Sequence, residues 1–235
     1  MQWKPLDLAA FIAFFLATVF FLPPAAFLLL RLFQPALQVD SLSGVQQISI
    51  QAFMDLVLVG FILFLVKRIH GRPILLSLHF IPKGNWAVGR LIAGGVFLAL
   101  TASAVSLFFP SPVDSPLEKL LTTTSSIVAL AVFGIVFAPL LEEIIFRGFV
   151  FTVLADVEGP RVAVPVTALL FTAPHLIQLW GSWAAVVVIF VVGYVLTLVR
   201  HRTDSVIPSI IMHTTYNAMI FGFAALGSLV DRGQP

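Results

Sequence analysis

The stretch FAPLLEEIIFRG, from Phe137 to Gly148, places two adjacent carboxylates and an arginine inside a long apolar run. The chain has 235 residues, of which 60% are hydrophobic and 10% charged, and its mean hydropathy is +1.07. A soluble domain of this length could not cover its surface with so few polar groups. Because ionisable side chains inside a membrane segment are costly, Glu142, Glu143 and Arg147 are candidate functional residues.

Apolar runs and short polar connections alternate on both sides of this stretch. Each run is close to the roughly 20 residues that cross a bilayer. The sequence therefore predicts a single all-α domain over residues 1–235, a membrane bundle of seven or, with a missed span, eight transmembrane helices around a polar cavity. The expected spans are residues 6–33, 48–66, 86–109, 125–154, 162–179, a sixth ending near 199, and 206–230.

Three local features of the sequence add detail to these predicted spans. The first run continues past Pro23 and Pro24 with no small-residue cleavage site, so we expect a kinked but uncleaved span. The sequence Ser115-Pro116-Leu117-Glu118 predicts a capped interfacial helix over 116–121. Asp55, inside the second run, is expected near the interface or hydrogen-bonded to a neighbouring helix, with a place in the cavity as the alternative.

The charge and the cysteine content limit the classes of function that the sequence allows. The net charge of +2 comes from basic residues in the connections, chiefly residues 67–90 and 200–202, which argues for a membrane protein and against a nucleic-acid partner. The positive-inside rule then predicts a cytoplasmic N-terminus and places Glu142 and Glu143 toward the cytoplasmic end of the fourth span. The absence of cysteine excludes disulfides and thiolate catalysis.

Two later apolar runs each add a histidine. His175 lies in ALLFTAPHL after Pro174, which is expected to open the helix locally, and His213 lies in SIIMHTTYN. Asn217 follows His213 by four residues, so both can face one point of a helix. Carboxylates and imidazoles gathered among membrane helices are typical of hydrolysis, of proton transfer or of a metal site.

The spacing divides the two glutamates. Glu143 and Arg147 are four residues apart and are predicted to pair on one helix face, which leaves Glu142 for the cavity. There Glu142 can act as a general base that takes a proton from water attacking an amide carbonyl, and His175 can share that water or protonate the leaving amine. His213 and Asn217 can donate hydrogen bonds to the oxyanion, each typically worth about 3 kcal/mol.

A second chemistry uses the same residues. Glu142, His175 and His213 have the donor types of a zinc site with one open position for water. The chain contains no HExxH motif. The cofactor prediction therefore stays open between none and a divalent metal such as zinc.

Three segments resemble the motifs of one known family. EEIIFRG at Glu142 to Gly148, FTAPH at Phe171 to His175 and HTTYN at His213 to Asn217 resemble EExxxR, FxxxH and HxxxN. In this order they are the motifs of the CAAX protease and bacteriocin-processing family, also called CPBP or Abi. The chain is similar in particular to the type II CAAX prenyl endopeptidases. The resemblance covers about residues 125–225.

The resemblance implies an intramembrane endopeptidase. It implies that Glu142 and His175 activate water, that His213 and Asn217 form the oxyanion site, and that Glu143, Arg147 and Phe171 support them. It implies the lipid bilayer and a peptide or protein as partners, the latter lipidated or prenylated in some members. A compact prokaryotic member in the inner membrane is the expectation, with metal dependence and oligomeric state left open.

Two other functions compete with a peptidase. Intramembrane glutamate and histidine also suit a proton-coupled transporter, although no internal repeat is evident in the sequence. A non-catalytic immunity or scaffold protein with an inactivated protease fold is the second alternative, and the retention of all motif residues argues against it.

Overall fold

The computed structural model describes residues 3–109 and 123–232, and the regular elements in these ranges are all helical. This confirms the all-α prediction. In chain order the helices are α1 (Pro5–Phe33), α2 (Gly44–Phe64), α3 (Ile74–Ser77), α4 (Val88–Phe108), α5 (Thr124–Glu158), α6 (Pro160–Thr172), α7 (His175–Gln178), α8 (Trp183–Thr203) and α9 (Val206–Arg232). The predicted interfacial helix at 116–121 lies outside the described residues.

Five helices in the described ranges are long and apolar enough to cross a membrane: α1, α2 with its continuation to Ile69, α4, α5 and α8. Helix α6 is apolar but has only 13 residues, and α9 has 27. The protein is thus an integral membrane helical bundle. The predicted count of seven or eight spans is not confirmed.

Several helix boundaries differ from the predicted spans, each for a local reason. Helix α2 begins at Gly44, before the predicted 48, because Ser43 and Gln46 form a capping box: the Ser43 hydroxyl accepts from Gln46 N at 3.2 Å. Helix α5 continues to Glu158, past the predicted 154, and ends at Gly159, whose φ is 81°. Helix α8 continues past the predicted 199 to Thr203, so the basic sequence RHRT is its last turn.

The predicted fifth span is wrong as one continuous helix. Helix α6 stops at Thr172, and α7 begins only at His175. Pro174 between them has no backbone N–H, so it cannot continue the hydrogen-bond ladder of the preceding helix. The expected opening before His175 is therefore confirmed.

Helix α5 lies at the centre of the larger apolar core. Its side chains Phe149 and Val153 are fully buried in the same apolar cluster as Ile62 and Val66 of the α2 region. A second apolar cluster joins α4, α8 and α9. There Gly95 permits a close helix contact, because a Cβ at that position would lie 2.6 Å from the carbonyl oxygen of Met212. The first cluster thus surrounds α5, and the second holds α8 and α9 against α4.

The connector, residues 65–87, joins α2 to α4 and contains a π turn, the short α3 and a loop. One part is attached to α1, since His70 Nε2 lies 2.9 Å from Asp7 Oδ1. Another part is attached to the start of α9, since Val206 N donates to the carbonyl oxygen of His79 at 3.0 Å. The connector is thus not one continuous helix.

Asp204 is the centre of a charged cluster where the connector meets the end of α8. It ends α8 in a left-handed conformation with a φ of 49°. Its Oδ1 lies 2.9 Å from His79 Nδ1 and 3.3 Å from Arg200 Nη1, and its Oδ2 pairs with Lys83. The Asp204 cluster (His79, Lys83, Arg200 and Asp204) therefore ties the connector to the end of α8.

Burial and charge set the ionisation of this cluster. Burial is the main cause that lowers the pKa of His79, and the charges of Arg200 and Lys83 lower it further against the opposing effect of Asp204. For Asp204, burial acts to raise the pKa, but the Lys83 hydrogen bond and the charges of His79 and Arg200 outweigh it, so the pKa is lowered. These shifts favour a neutral His79 beside an ionised Asp204.

We predict that acid destabilises the protein through His79. Because the pKa of His79 is lower folded than unfolded, the unfolded chain binds more protons as the pH falls through about 6.5, and the free energy of unfolding decreases. Protonation of Asp204 removes further stability at a lower pH. The thermal unfolding midpoint in detergent, measured from about pH 8 to pH 5, should fall more steeply for the wild type than for His79→Gln.

The control is His201→Gln, because His201 is an exposed histidine near the end of the same helix α8. Its pH curve should keep the wild-type slope. Parallel curves for the wild type and His79→Gln would contradict the assignment.

Candidate active site

The winding of α5 changes at the two glutamates. Residues Phe133–Phe137 and Glu143–Val150 are π-helical, and the intervening Ala138–Glu142 is α-helical and contains Pro139. The α-helical turn that contains Pro139 therefore lies between two wider turns. Proline removes one i→i−4 hydrogen bond, and π turns are frequent at functional sites. Glu142 and Glu143 thus lie at a junction of two windings.

Arg147 connects Glu143 to α8. Its Nη1 donates to Glu143 Oε1 at 2.7 Å, and both side chains are 0% exposed, which confirms the predicted pair. Its Nη2 donates to the carbonyl oxygen of Gly193 at 2.9 Å, and its Nε donates to Thr197 Oγ1 at 3.2 Å. All three guanidinium nitrogens therefore have an acceptor, as a buried charge requires.

Phe171 packs beneath this ion pair. The Arg147 guanidinium carbon lies 4.4 Å from the centre of the Phe171 ring, a cation–π distance. A Cβ on Gly193 would lie 2.9 Å from Phe171 Cδ1, so the glycine provides the space that the ring fills. The rings of His175 and His213 lie 5.1 Å and 5.9 Å from the same ring. Phe171 thus contacts both candidate histidines.

His213 lies between the two glutamates. Its Nδ1 is 2.9 Å from Glu143 Oε1, a hydrogen bond in which the ring nitrogen donates. Its Nε2 is 3.6 Å from Glu142 Oε2, close enough for an ion pair but too long for a direct hydrogen bond. His213 is buried on α9, so this contact joins α9 to α5.

Asn217, one turn beyond His213, also joins these helices. Its Nδ2 donates to the carbonyl oxygen of Gly134 at 2.7 Å. The amide nitrogen carries two hydrogens, so this bond uses one of them. The oxyanion role predicted for Asn217 remains a prediction.

His175 begins α7 immediately after the break at Pro174. Its Nδ1 lies 2.9 Å from the carbonyl oxygen of Phe171, and since a carbonyl accepts, Nδ1 carries the proton. A neutral ring in this tautomer has an unprotonated Nε2. The side chain is partly exposed, unlike that of His213. His175 is therefore prepared to accept a proton or a hydrogen bond at Nε2.

Glu142 and Glu143 differ in environment. The Glu142 side chain is 21% exposed, whereas that of Glu143 is fully buried. Asp55 of α2 lies near enough to Glu142 for the two carboxyl groups to interact electrostatically. Asp55 is itself 8% exposed and accepts a hydrogen bond of 3.0 Å from Gln51 Nε2. Asp55 thus takes its hydrogen bond from its own helix, and its carboxyl group lies within electrostatic range of Glu142.

A zinc site would need Glu142, His175 and His213 to lie close together. Over residues 3–109 and 123–232, no three side chains of His, Asp or Glu are grouped closely enough to hold a metal ion. Glu142, His175 and His213 are thus not gathered as a ligand set. Metal dependence remains a prediction, and the chemistry considered below uses the side chains alone.

Gly193, Thr197 and Gly134 were missed by sequence reasoning. Gly193 and Thr197 are four residues apart, a spacing that places a small residue and a hydroxyl on one helix face. That pattern is common in apolar helices and does not reveal a partner on another helix.

Comparison with known proteins adds one finding. The model of the family described as type II CAAX prenyl endopeptidase Rce1-like matches residues 124–219. These residues include all of the predicted site residues, and the match confirms the resemblance over this segment; it does not test the broader CPBP or Abi name. No curated protein and no solved structure matches the chain. The match implies a protease that acts in a membrane on a peptide substrate.

We predict that Glu143 and Arg147 stabilise the fold only when both charges are present. Glu143→Gln or Arg147→Met alone leaves one buried charge without its partner, which typically costs about 3–5 kcal/mol. The double variant removes both charges and should recover most of the lost stability. The measurement is the thermal unfolding midpoint in detergent for the four proteins.

Arg202→Met is the matched control, since Arg202 is an exposed arginine. It should unfold at the wild-type temperature. A double variant whose loss equals the sum of the two single losses would show that the pairing in itself contributes nothing.

Proposed function

We propose, from the match of residues 124–219 to the type II CAAX prenyl endopeptidase Rce1-like family, that this chain is an intramembrane endopeptidase. It hydrolyses a peptide bond in a membrane-associated protein or peptide. The observation that carries the proposal is the different use of the adjacent glutamates. Glu143 is occupied by Arg147 and His213, whereas Glu142 is partly exposed beside a histidine.

Glu142 is the proposed general base. It is in none of the Lys or Arg ion pairs of the described residues, and only His213 is within ion-pair distance of it. A carboxylate not neutralised by a guanidinium can take a proton from water. The hydroxide so formed attacks the carbonyl carbon of the substrate amide.

His175 is the proposed partner of Glu142 in proton transfer. Its Nδ1–H is held by the carbonyl oxygen of Phe171, which supports a role for the unprotonated Nε2. Nε2 receives the proton that Glu142 has taken from the water and delivers it to the amide nitrogen as the C–N bond breaks. One proton thus moves from nucleophile to leaving amine.

His213 and Asn217 are the proposed oxyanion donors. Glu143 accepts from His213 Nδ1 and so orients the ring, as a base or acid needs a third group to orient it. In its imidazolium form His213 has a second N–H at Nε2, which can donate to the tetrahedral oxyanion. The remaining amide hydrogen of Asn217 supplies the second donor.

The substrate class is proposed from the family description and from the location of the site. The site residues belong to helices of an apolar bundle, which favours a substrate that is itself held in the membrane. A lipidated protein or peptide, including a prenylated CAAX-type chain, fits this requirement. We further propose an opening toward the cytoplasm and a prokaryotic inner-membrane location.

We predict that Glu142→Gln and His175→Ala each lower the cleavage rate at least about 100-fold, because each removes a proton-transfer group. The assay uses detergent-purified protein and a quenched-fluorescent peptide library that includes farnesylated CAAX peptides. Glu158→Gln is the control, since it makes the same change at an exposed position of the same helix α5. It should cleave at the wild-type rate.

A strong chelator in parallel reactions decides the mechanism. Unchanged cleavage would support glutamate-activated water, whereas cleavage lost to chelator and restored by zinc would assign ligand roles to Glu142, His175 and His213. Wild-type cleavage rates in both variants would contradict the roles proposed for Glu142 and His175, and the absence of any cleavage by the wild type would contradict the peptidase. Proton-coupled uptake in proteoliposomes would then support a transporter, and a function that survives both substitutions would support a non-catalytic protein.

A further inference from the structure

We propose that Arg200, which lies outside all three family-like motifs, is a positioning residue for the candidate active site. It fixes α8 against α5 beside the Arg147 bridge, and Asp204 holds its outer end. The inference rests on the proposed function, because the geometry it maintains is that of Glu143 and His213.

Two buried arginines cross the contact between α5 and α8 in opposite directions. Arg147 of α5 donates to Gly193 and Thr197 of α8. Arg200 of α8 donates from Nη2 to Thr152 Oγ1 of α5 at 3.3 Å. The side chain of Arg200 is 2% exposed. The helices are therefore joined at two successive points, which fixes their relative rotation as well as their separation.

The spacing places the two bridges next to each other. Thr197 and Arg200 are three residues apart on α8, on the same face of that helix. Each guanidinium also lies against a phenylalanine ring, Arg147 at 4.4 Å from Phe171 and Arg200 at 5.3 Å from Phe151. A rotation of α8 that breaks the Arg200 bridge would therefore also move the acceptors of Arg147.

A structural role alone does not explain an arginine at this position. Burying a charge costs desolvation, and a well-packed apolar side chain often stabilises a core equally well or better. The planar guanidinium instead fixes direction, since its donors form a rigid fork. A buried arginine between α5 and α8 would restrict the rotation of one helix relative to the other. The candidate site needs that restriction, because its residues are held by contacts between these helices.

The outer end of Arg200 connects the site to the protein surface. Arg200 Nη1 pairs with Asp204, whose side chain is 51% exposed and is also held by His79 and Lys83 of the connector. The contacts then run from Asp204 through Arg200 to α8, from α8 through Arg147 to Glu143, and from Glu143 to His213. A change at Asp204 can thus test the coupling without altering the core.

The expected kinetic effect follows from this chain of contacts. Arg200 touches neither the water nor the oxyanion in the proposed mechanism, so its loss should misplace the reacting groups without removing one. A displacement of about 1 Å can cost 100-fold in rate. We expect Arg200→Gln to lower kcat at least about ten-fold, with KM changed less than about two-fold.

The experiment compares the wild type with Arg200→Gln, Arg200→Lys, Asp204→Asn and Arg202→Gln on a peptide that the wild type cleaves. Arg200→Lys keeps the charge but not the fork and should recover part of kcat. Asp204→Asn should lower kcat less than Arg200→Gln. Arg202→Gln removes an exposed arginine two residues away and should match the wild type. Rates are normalised to folded protein, measured by thermal unfolding.

A second measurement is independent of activity. The ring nitrogens of the five histidines are observed by 15N NMR, with His213 assigned through His213→Gln. Arg200→Gln should shift the His213 signals, and Arg202→Gln should leave them unchanged. Wild-type kcat in Arg200→Gln, or a loss explained by its folded fraction with unshifted His213 signals, would overturn the inference. If the wild type cleaves nothing, the proposed function fails, and the NMR comparison still decides the coupling.

Discussion

The burial of the Glu143–Arg147 ion pair is the constraint that organises this part of the bundle. Neither side chain reaches solvent, so the pair draws its hydrogen-bond partners from the protein. Arg147 therefore takes its acceptors from α8, and Glu143 takes a second donor, His213, from α9. Phe171 of α6 covers the guanidinium. Four helices thus converge on one ion pair, and the candidate site lies where they meet.

The same constraint separates the adjacent glutamates into different environments. Glu143 is committed to the interior, and its neighbour Glu142 is left with partial exposure beside His213 and within the electrostatic range of Asp55. A pair of carboxylates that shared one environment would compete for the same partners. Their separation into a supporting group and an available group is the feature that most favours hydrolytic chemistry over a purely structural salt bridge.

The sequence predicted contacts between residues close together in the chain and missed contacts between residues far apart in it. The all-α membrane bundle follows from composition, and the pairing of Glu143 with Arg147 follows from a spacing of four residues, so both are local. The contact of His213 with Glu143 spans 70 residues, and that of Asn217 with Gly134 spans 83. No spacing rule reaches across such distances, and the motif resemblance supplied roles for these residues without their partners. The break of α6 at Thr172 follows from Pro174 and was therefore predicted as a local opening, whereas the π winding of α5 was not predicted, because no residue pattern used in the sequence analysis specifies it.

The bond from Val206 N to the carbonyl oxygen of His79 has a consequence for the order of assembly. The first amide of α9 is satisfied by a segment that is synthesised much earlier, so this helix is positioned against helices that already precede it in the chain. His213 and Asn217 are carried on α9, whereas Glu142 and His175 belong to earlier segments. During synthesis the earlier residues therefore enter the membrane before their partners exist, and the candidate site remains incomplete until α9 has docked. In the proposed mechanism, the docking of this one helix supplies both oxyanion donors.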